Sequence, residues 1–309
     1  MEFEIKCIQI SVHHINAPIL PPDNQCCLQR GLGFRIQYKD INEAREAYKM
    51  GMGFTGTKRT HRRYLRGSRY IQFFGNDDNV EVIDVREYGG CVDLNIKLEN
   101  GDRTVLKVRD MNIEREFMKV VKEFSEKSNK VSEARCHSGD SGNMFAFGYH
   151  NSKHGDYKSM QDETMDIRNY SITARKILDK YFKREIQDIV EADRKQDVVP
   201  SELMGGEDGI SAYALISVDL VNAAHFDLDT SVGISIFNEK CPGTATNWNF
   251  VLPNTTLVHG NRNEAVVIKL FDGCAIAWDG RKVFHCTSAK NIGEGNHVYG
   301  NLWGGKVYR

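Results

Sequence analysis

The chain has 309 residues, 40% hydrophobic and 27% charged, which are the proportions of an ordinary globular protein with a sizeable core. Lys+Arg number 41 against 42 Asp+Glu, a formal charge of −1. That balance argues against sequence-independent nucleic-acid binding, which needs a cationic surplus to displace counterions from phosphate.

No run of about 18 apolar residues occurs, so no membrane span is predicted. The start, Met1-Glu2-Phe3-Glu4-Ile5, lacks the basic and apolar regions of a secretion signal. The expectation is a folded cytoplasmic protein. Its 8 Cys include no CxxC pair and read as free thiols.

Residues 1–110 read as β-rich. Short β-branched or aromatic runs occupy 3–12, 70–74, 80–85, 91–98 and 104–108, with a short helix expected at 40–50. Asn100-Gly101 between two alternating runs predicts a hairpin. Ile113, Phe117, Val120, Val121 and Phe124 share one stripe and predict a helix over 112–128. Residues 137–162, rich in Gly, Ser, Asn and His, read as a loop; part of it, 142–155, could equally serve as a lid. The pair His150 and His154 within it lacks the glutamate of a helical zinc motif. The strongest helical pattern covers 165–193, where Tyr170, Ala174, Ile177, Leu178, Tyr181, Ile186, Ile189 and Val190 recur at helical spacing. After Pro200 strands are expected at 212–222, 231–237, 247–252, 264–270, 274–278, 282–286 and 297–303. Strands this short and this closely spaced predict a sandwich or a closed barrel.

The chemistry concentrates in that last region. His225-Phe226-Asp227 follows a predicted strand, and residues two apart on extended chain point the same way. His225 and Asp227 can therefore reach one metal ion, with His285 as the third ligand. Two imidazoles and one carboxylate on one face of an iron leave three positions open for an oxidant and oxygen. The bland alternative is a satisfied polar pair without metal. The order around the triad adds weight. It runs through a strand, His-x-Asp, the strand Val232–Phe237, the Trp248–Leu252 strand, Gly273 to Arg281, His285, and a closing strand from Asn296 to Trp303.

Over about residues 210–305 this order resembles the Fe(II)/2-oxoglutarate-dependent dioxygenases, in which a Gly-turn strand of the form seen in Gly273–His285 leads into the distal histidine. The resemblance implies an α+β, mainly β fold. Its double-stranded β-helix (jelly-roll, cupin-like) core would span 201–309. Residues 1–200 would be a β-rich and helical elaboration that includes the supporting helix 165–193. The resemblance further implies His225, Asp227 and His285 as iron ligands, with 2-oxoglutarate and O2 as co-substrates for oxidation of a C–H bond. Tyr213 and Asn222, which precede the motif on its strand, match positions that often touch co-substrate in the family.

Many family members carry an Arg past the distal histidine that pairs with the far carboxylate of 2-oxoglutarate, because a guanidinium fits a carboxylate bidentately. No Arg lies between His285 and Arg309. The matching strand offers His297, with Tyr299 and Asn301 on the same face. The cation could otherwise be Lys269, Arg281 or Arg262, or the co-substrate could be a different one.

Residues 58–69 hold six Lys/Arg and no acid. A solvated hairpin is the plain reading, since charge runs usually face water. The functional one makes Arg59, Arg62, Arg63, Arg66 and Arg69 a wall for an acidic small-molecule substrate, such as an amino-acid-derived acid. Algal kainoid synthases are an example by analogy. Two alternatives stand beside it: a same-fold oxygenase acting on a nucleobase or protein side chain, and a cupin-like metalloprotein that does not use 2-oxoglutarate.

Overall fold

A computed structural model describes residues 7–14, 34–35, 72–73, 80–98, 101–128, 141–151, 157–160, 167–195, 204–221, 227, 229–253, 255–257, 265–290 and 295–304. The helix expected at 40–50, the basic run 58–69, and His225, Asn222 and Arg262 lie outside the described residues.

The N-terminal strands are β1 (Ile8–His14), β2 (Phe34–Arg35), β3 (Gln72–Phe73), β4 (Val80–Ile83), β5 (Cys91–Lys97) and β6 (Arg103–Asp110). Strands β5 and β6 form the antiparallel hairpin that Asn100-Gly101 signals. Gly101 takes the left-handed φ of 86° that such a turn requires. Helix α1 (Arg115–Ser128) follows, then β7 (Ser141–Asn151), β8 (Tyr157–Met160) and helix α2 (Ile167–Lys195). The C-terminal region contributes β9 (Tyr213–Val221), β10 (Gly233–Glu239), β11 (Thr246–Pro253), β12 (Thr255–Leu257), β13 (Ala265–Lys269), β14 (Cys274–Trp278), β15 (Cys286–Lys290) and β16 (Val298–Gly304).

Ten strands make one mixed sheet in the order β12-β1-β5-β6-β14-β10-β16-β9-β7-β8. Four make a second, β15-β11-β13-β4, and β2 pairs with β3. Both helices cover one face of the large sheet. There Ile234, Ile236, Ala275, Ala277, Tyr299 and Trp303 pack against Phe117, Val121, Phe124, Leu178 and Ile186. The opposite face meets the small sheet, with Phe237, Cys274, Ile276 and Trp278 against Trp248, Phe250, Leu252, Val266 and Ile268. The molecule is thus mainly β, a helical layer over a two-sheet sandwich. Strand β10 is buried at every position because both its faces are covered.

Helix α2 covers 167–193 of the predicted segment and runs on to Lys195, but kinks at Phe182, whose φ and ψ of −136° and 33° are not helical. A fully buried quartet joins the helices to the sheet. Ser125 Oγ lies 3.0 Å from Asn238 Oδ1, and Tyr170 Oη donates to Asn301 Oδ1 at 2.9 Å.

Two expectations are corrected. Residues 141–151 and 157–160 are strands, not loop. Strand β7 pairs along β9, and Phe145 and Phe147 reach the helix-facing core. Those alternating aromatics outweigh the Gly and Asn around them. The second correction concerns the thiols. Cys7 and Cys91 are bonded to each other, tying the start of β1 to β5, whereas Cys241, Cys274 and Cys286 are free.

Candidate metal centre

Strand β14 ends at Trp278 and is followed by a tight turn. The N–H groups of Lys282 and Val283 both donate to Asp279 O, at 3.0 and 2.9 Å. The chain then rises through Phe284 to His285 and into β15. The strand expected at 282–286 therefore starts later, at Cys286. Its alternation is clear all the same. Thr287 pairs with Phe250, so His285 and Thr287 face the interior, while Cys286 pairs with Val251 on the other side. Burial pushes the Cys286 thiol far above its ordinary value, so it does not compete as a thiolate ligand.

His285 is 3% exposed. The Phe250 ring stacks on its imidazole, with centroids 5.2 Å apart and planes 12° apart, and Trp278 meets it edge-on at 5.3 Å. Its Nδ1 lies 2.9 Å from Val283 O. A carbonyl only accepts, so Nδ1 carries a proton, and in the neutral ring Nε2 then holds the lone pair. Nε2 lies 3.5 Å from Asp227 Oδ2.

A carboxylate oxygen and an imidazole lone pair are both acceptors. With the ring neutral, both can share one cation at this separation; with it protonated, Nε2–H faces the carboxylate directly. Ligand atoms about 2.1 Å from one ion and at right angles to each other stand about 3 Å apart, close to what is seen. The donor set, one neutral imidazole fixed by a carbonyl and one carboxylate, suits a first-row divalent ion.

The loop bearing Asp227 is held against the turn after β14. Asp227 N–H donates to Gly280 O at 2.8 Å. A Cβ at Gly280 would overlap Asp227 Oδ2 outright and stand 2.7 Å from Cγ, so the carboxylate occupies space that only glycine leaves. Arg281 donates through Nε to Asp279 Oδ1 at 2.7 Å, through one terminal nitrogen to Asp279 Oδ2 at 2.8 Å, and through the other to Thr230 O at 2.6 Å. The bonds to Asp279 raise the Arg281 guanidinium further above its ordinary value.

The structure thus brings together Asp227 and His285 of the sequence-derived triad. Among the described residues no group of three or more His, Cys, Asp or Glu converges, and His225 lies outside them. Tyr213 is buried at the start of β9, on the sheet face away from the helices, beside Leu215 and Leu302. Tyr299 and Asn301 share a face as expected, but it is the helix-facing one. Tyr299 packs in the helix–sheet core, and Asn301 belongs to the buried quartet.

His297 Nδ1–H donates to Asp219 Oδ2 at 2.7 Å, and Asp219 Oδ1 also takes Val298 N–H. It precedes Val298, which pairs with Glu239, whereas Trp278 pairs with Gly233 at the other end of β10. Across the sandwich its partner Asp219 precedes Leu220, whose carbonyl accepts from Thr287 Oγ1 at 3.4 Å, two residues past His285. Lys269 lies 3.4 Å from Asp84. Each described candidate for the missing cation therefore already faces an aspartate. The Gly280 cradle was not foreseen, although a glycine between Asp279 and Arg281 was its visible sign.

No family model matches the chain, and no curated protein matches it. Among solved structures, it is similar to NgTET1 in complex with 5mC DNA, at 9% identity over 74% of this chain and 82% of that one, with a TM-score of 0.45. It is similar to a Pseudomonas putida prolyl-4-hydroxylase at 8% identity, over 65% and 92%, with a TM-score of 0.37. It is similar to JOX2 in complex with 2OG, Fe and JA at 11% identity, over 74% and 75%, with a TM-score of 0.35. Scores this low carry no weight for activity or substrate, which rest on this chain's own residues.

Proposed function

We propose that the chain is an Fe(II)- and 2-oxoglutarate-dependent oxygenase that oxidises a C–H bond of a small acidic, amino-acid-derived metabolite. In this reading the runs β9-β16-β10-β14 and β15-β11-β13 are the facing sheets of a double-stranded β-helix. Residues 201–309 form that core, and 1–200 elaborate it.

The observation that carries the reading is the approach of His285 Nε2 to Asp227 Oδ2, 3.5 Å apart, with Nδ1 committed to Val283 O. His285, Asp227 and His225 would hold the iron. With iron and a 2-oxo acid bound, the chemistry available there is O2 activation and oxidation of a C–H bond. The protein's own part is geometric. Val283 O fixes the imidazole tautomer, Phe250 and Trp278 hold the ring and exclude water on that side, and Gly280 seats the carboxylate. Arg59, Arg62, Arg63, Arg66 and Arg69 would draw an anionic substrate.

A second reading keeps the metal and drops 2-oxoglutarate. It is favoured by the aspartate partners of His297, Lys269 and Arg281, which leave none of the described candidates free for a far carboxylate. Succinate release decides between them. Wild-type protein with Fe(II), O2 and 2-oxoglutarate should release succinate, and Asp227→Ala and His285→Ala should not. An iron-loaded wild type that forms no succinate would overturn the first reading in favour of the second.

A further inference from the structure

We propose that Gly280 and Arg281 are positioning residues for the Asp227 carboxylate, so that Arg281 orients a metal ligand rather than a co-substrate. This rests on the metal reading above.

Two contacts and one vacancy of side chain converge on the loop. Asp227 is pinned at its backbone by Gly280 O, 2.8 Å from its N–H. Three residues on, Thr230 O receives a guanidinium N–H at 2.6 Å. Between these anchors the Asp227 side chain lies over the Gly280 Cα, where any Cβ would displace it. The guanidinium does not choose its own direction. Asp279, 5% exposed, takes it as a fork, with both carboxylate oxygens within 2.8 Å of guanidinium nitrogens. The same Asp279 backbone carbonyl closes the turn that launches the chain toward His285. One three-residue unit, Asp279-Gly280-Arg281, therefore sets both sides of the Asp227–His285 gap. Lysine cannot replace Arg281, because a point charge cannot hold Asp279 and Thr230 O in one plane.

Co(II) binding to the full chain, read by visible absorption and titration calorimetry, tests this beside thermal melts without metal. Gly280→Ala and Arg281→Met should weaken Co(II) binding roughly 10- to 100-fold and alter its visible bands, as loss of outer-shell support does. Arg281→Lys, which keeps the charge and the fold, should also weaken it. The melts supply a readout independent of metal. Gly280→Ala should lower Tm in the wild-type background and lower it much less in Asp227→Gly, which lacks the three atoms nearest the new methyl. Equal Tm losses in both backgrounds, or variants that bind Co(II) like wild type, would overturn the positioning role. A wild type that binds no Co(II) while the melts still show coupling would overturn the metal reading, and with it the purpose assigned to the clamp.

Discussion

Asp193, near the end of α2, shows what a single buried carboxyl does to this fold. It is 2% exposed, and burial raises its pKa from 3.8 to about 6, against the hydrogen bond it accepts from Ala212 N–H. Its Oδ1 has no hydrogen-bond partner among the described residues. The folded pKa lies above the unfolded one, so the native state binds the proton more tightly. Its contribution to stability is most favourable below about pH 4, declines as pH rises through about 6, and is flat above. The difference across that window is on the order of 3 kcal/mol. Asp193→Asn keeps an acceptor for Ala212 and removes the charge. It should raise stability at pH 7.5, with the gain shrinking toward pH 4, as chemical denaturation at the two pH values would show. Tyr170 is the second case. Its hydroxyl meets Asn301 Oδ1 inside the core, and Tyr170→Phe should cost about 1–2 kcal/mol by the same measurement.

Among the elements, most strands of the C-terminal region follow the sequence closely, because they are short apolar runs bounded by Gly, Pro, Asn or Asp; β15 begins later than expected and β12 was not expected. What the runs do not disclose is which side faces the small sheet. Strand β16 is buried on both faces, and only the packing shows that Tyr299 and Trp303 turn to the helices. That is why Tyr299 and Asn301 share a face as expected, yet the face is the helix-facing one. In β7 the opposite happened: small and polar residues hid two inward aromatics, and pairing with β9 decided the outcome. The Cys7–Cys91 link was equally hidden, since it depends on β1 running parallel to β5. It closes a loop over a separation of 84 residues, for which the chain-entropy account gives up to about 4–5 kcal/mol. Reduction with dithiothreitol should therefore lower Tm, and Cys7→Ser should lower it equally and abolish the sensitivity.

At the scale of the whole molecule, the two sheets bring residues distant in sequence to one place. Asp227 lies in the segment after β9, and His285 enters β15; the sandwich sets Asp227 Oδ2 and His285 Nε2 3.5 Å apart. The pairing of these two was readable from residue types and order. The turn that holds them was not, because Asp279, Gly280 and Arg281 are individually common loop residues and gain meaning only from Thr230 and Asp227 across the gap. No described helix is long and apolar enough to cross a membrane.

The central claim is that this gap holds iron with open positions for a 2-oxo acid. Anaerobic addition of Fe(II) and then 2-oxoglutarate to the apo protein tests it most directly, through the weak visible band, near roughly 500 nm, of a keto acid chelated on such a site. The band should grow to one equivalent in wild type and be absent in His225→Ala and Asp227→Ala. Bound iron with no band on adding 2-oxoglutarate would contradict the claim.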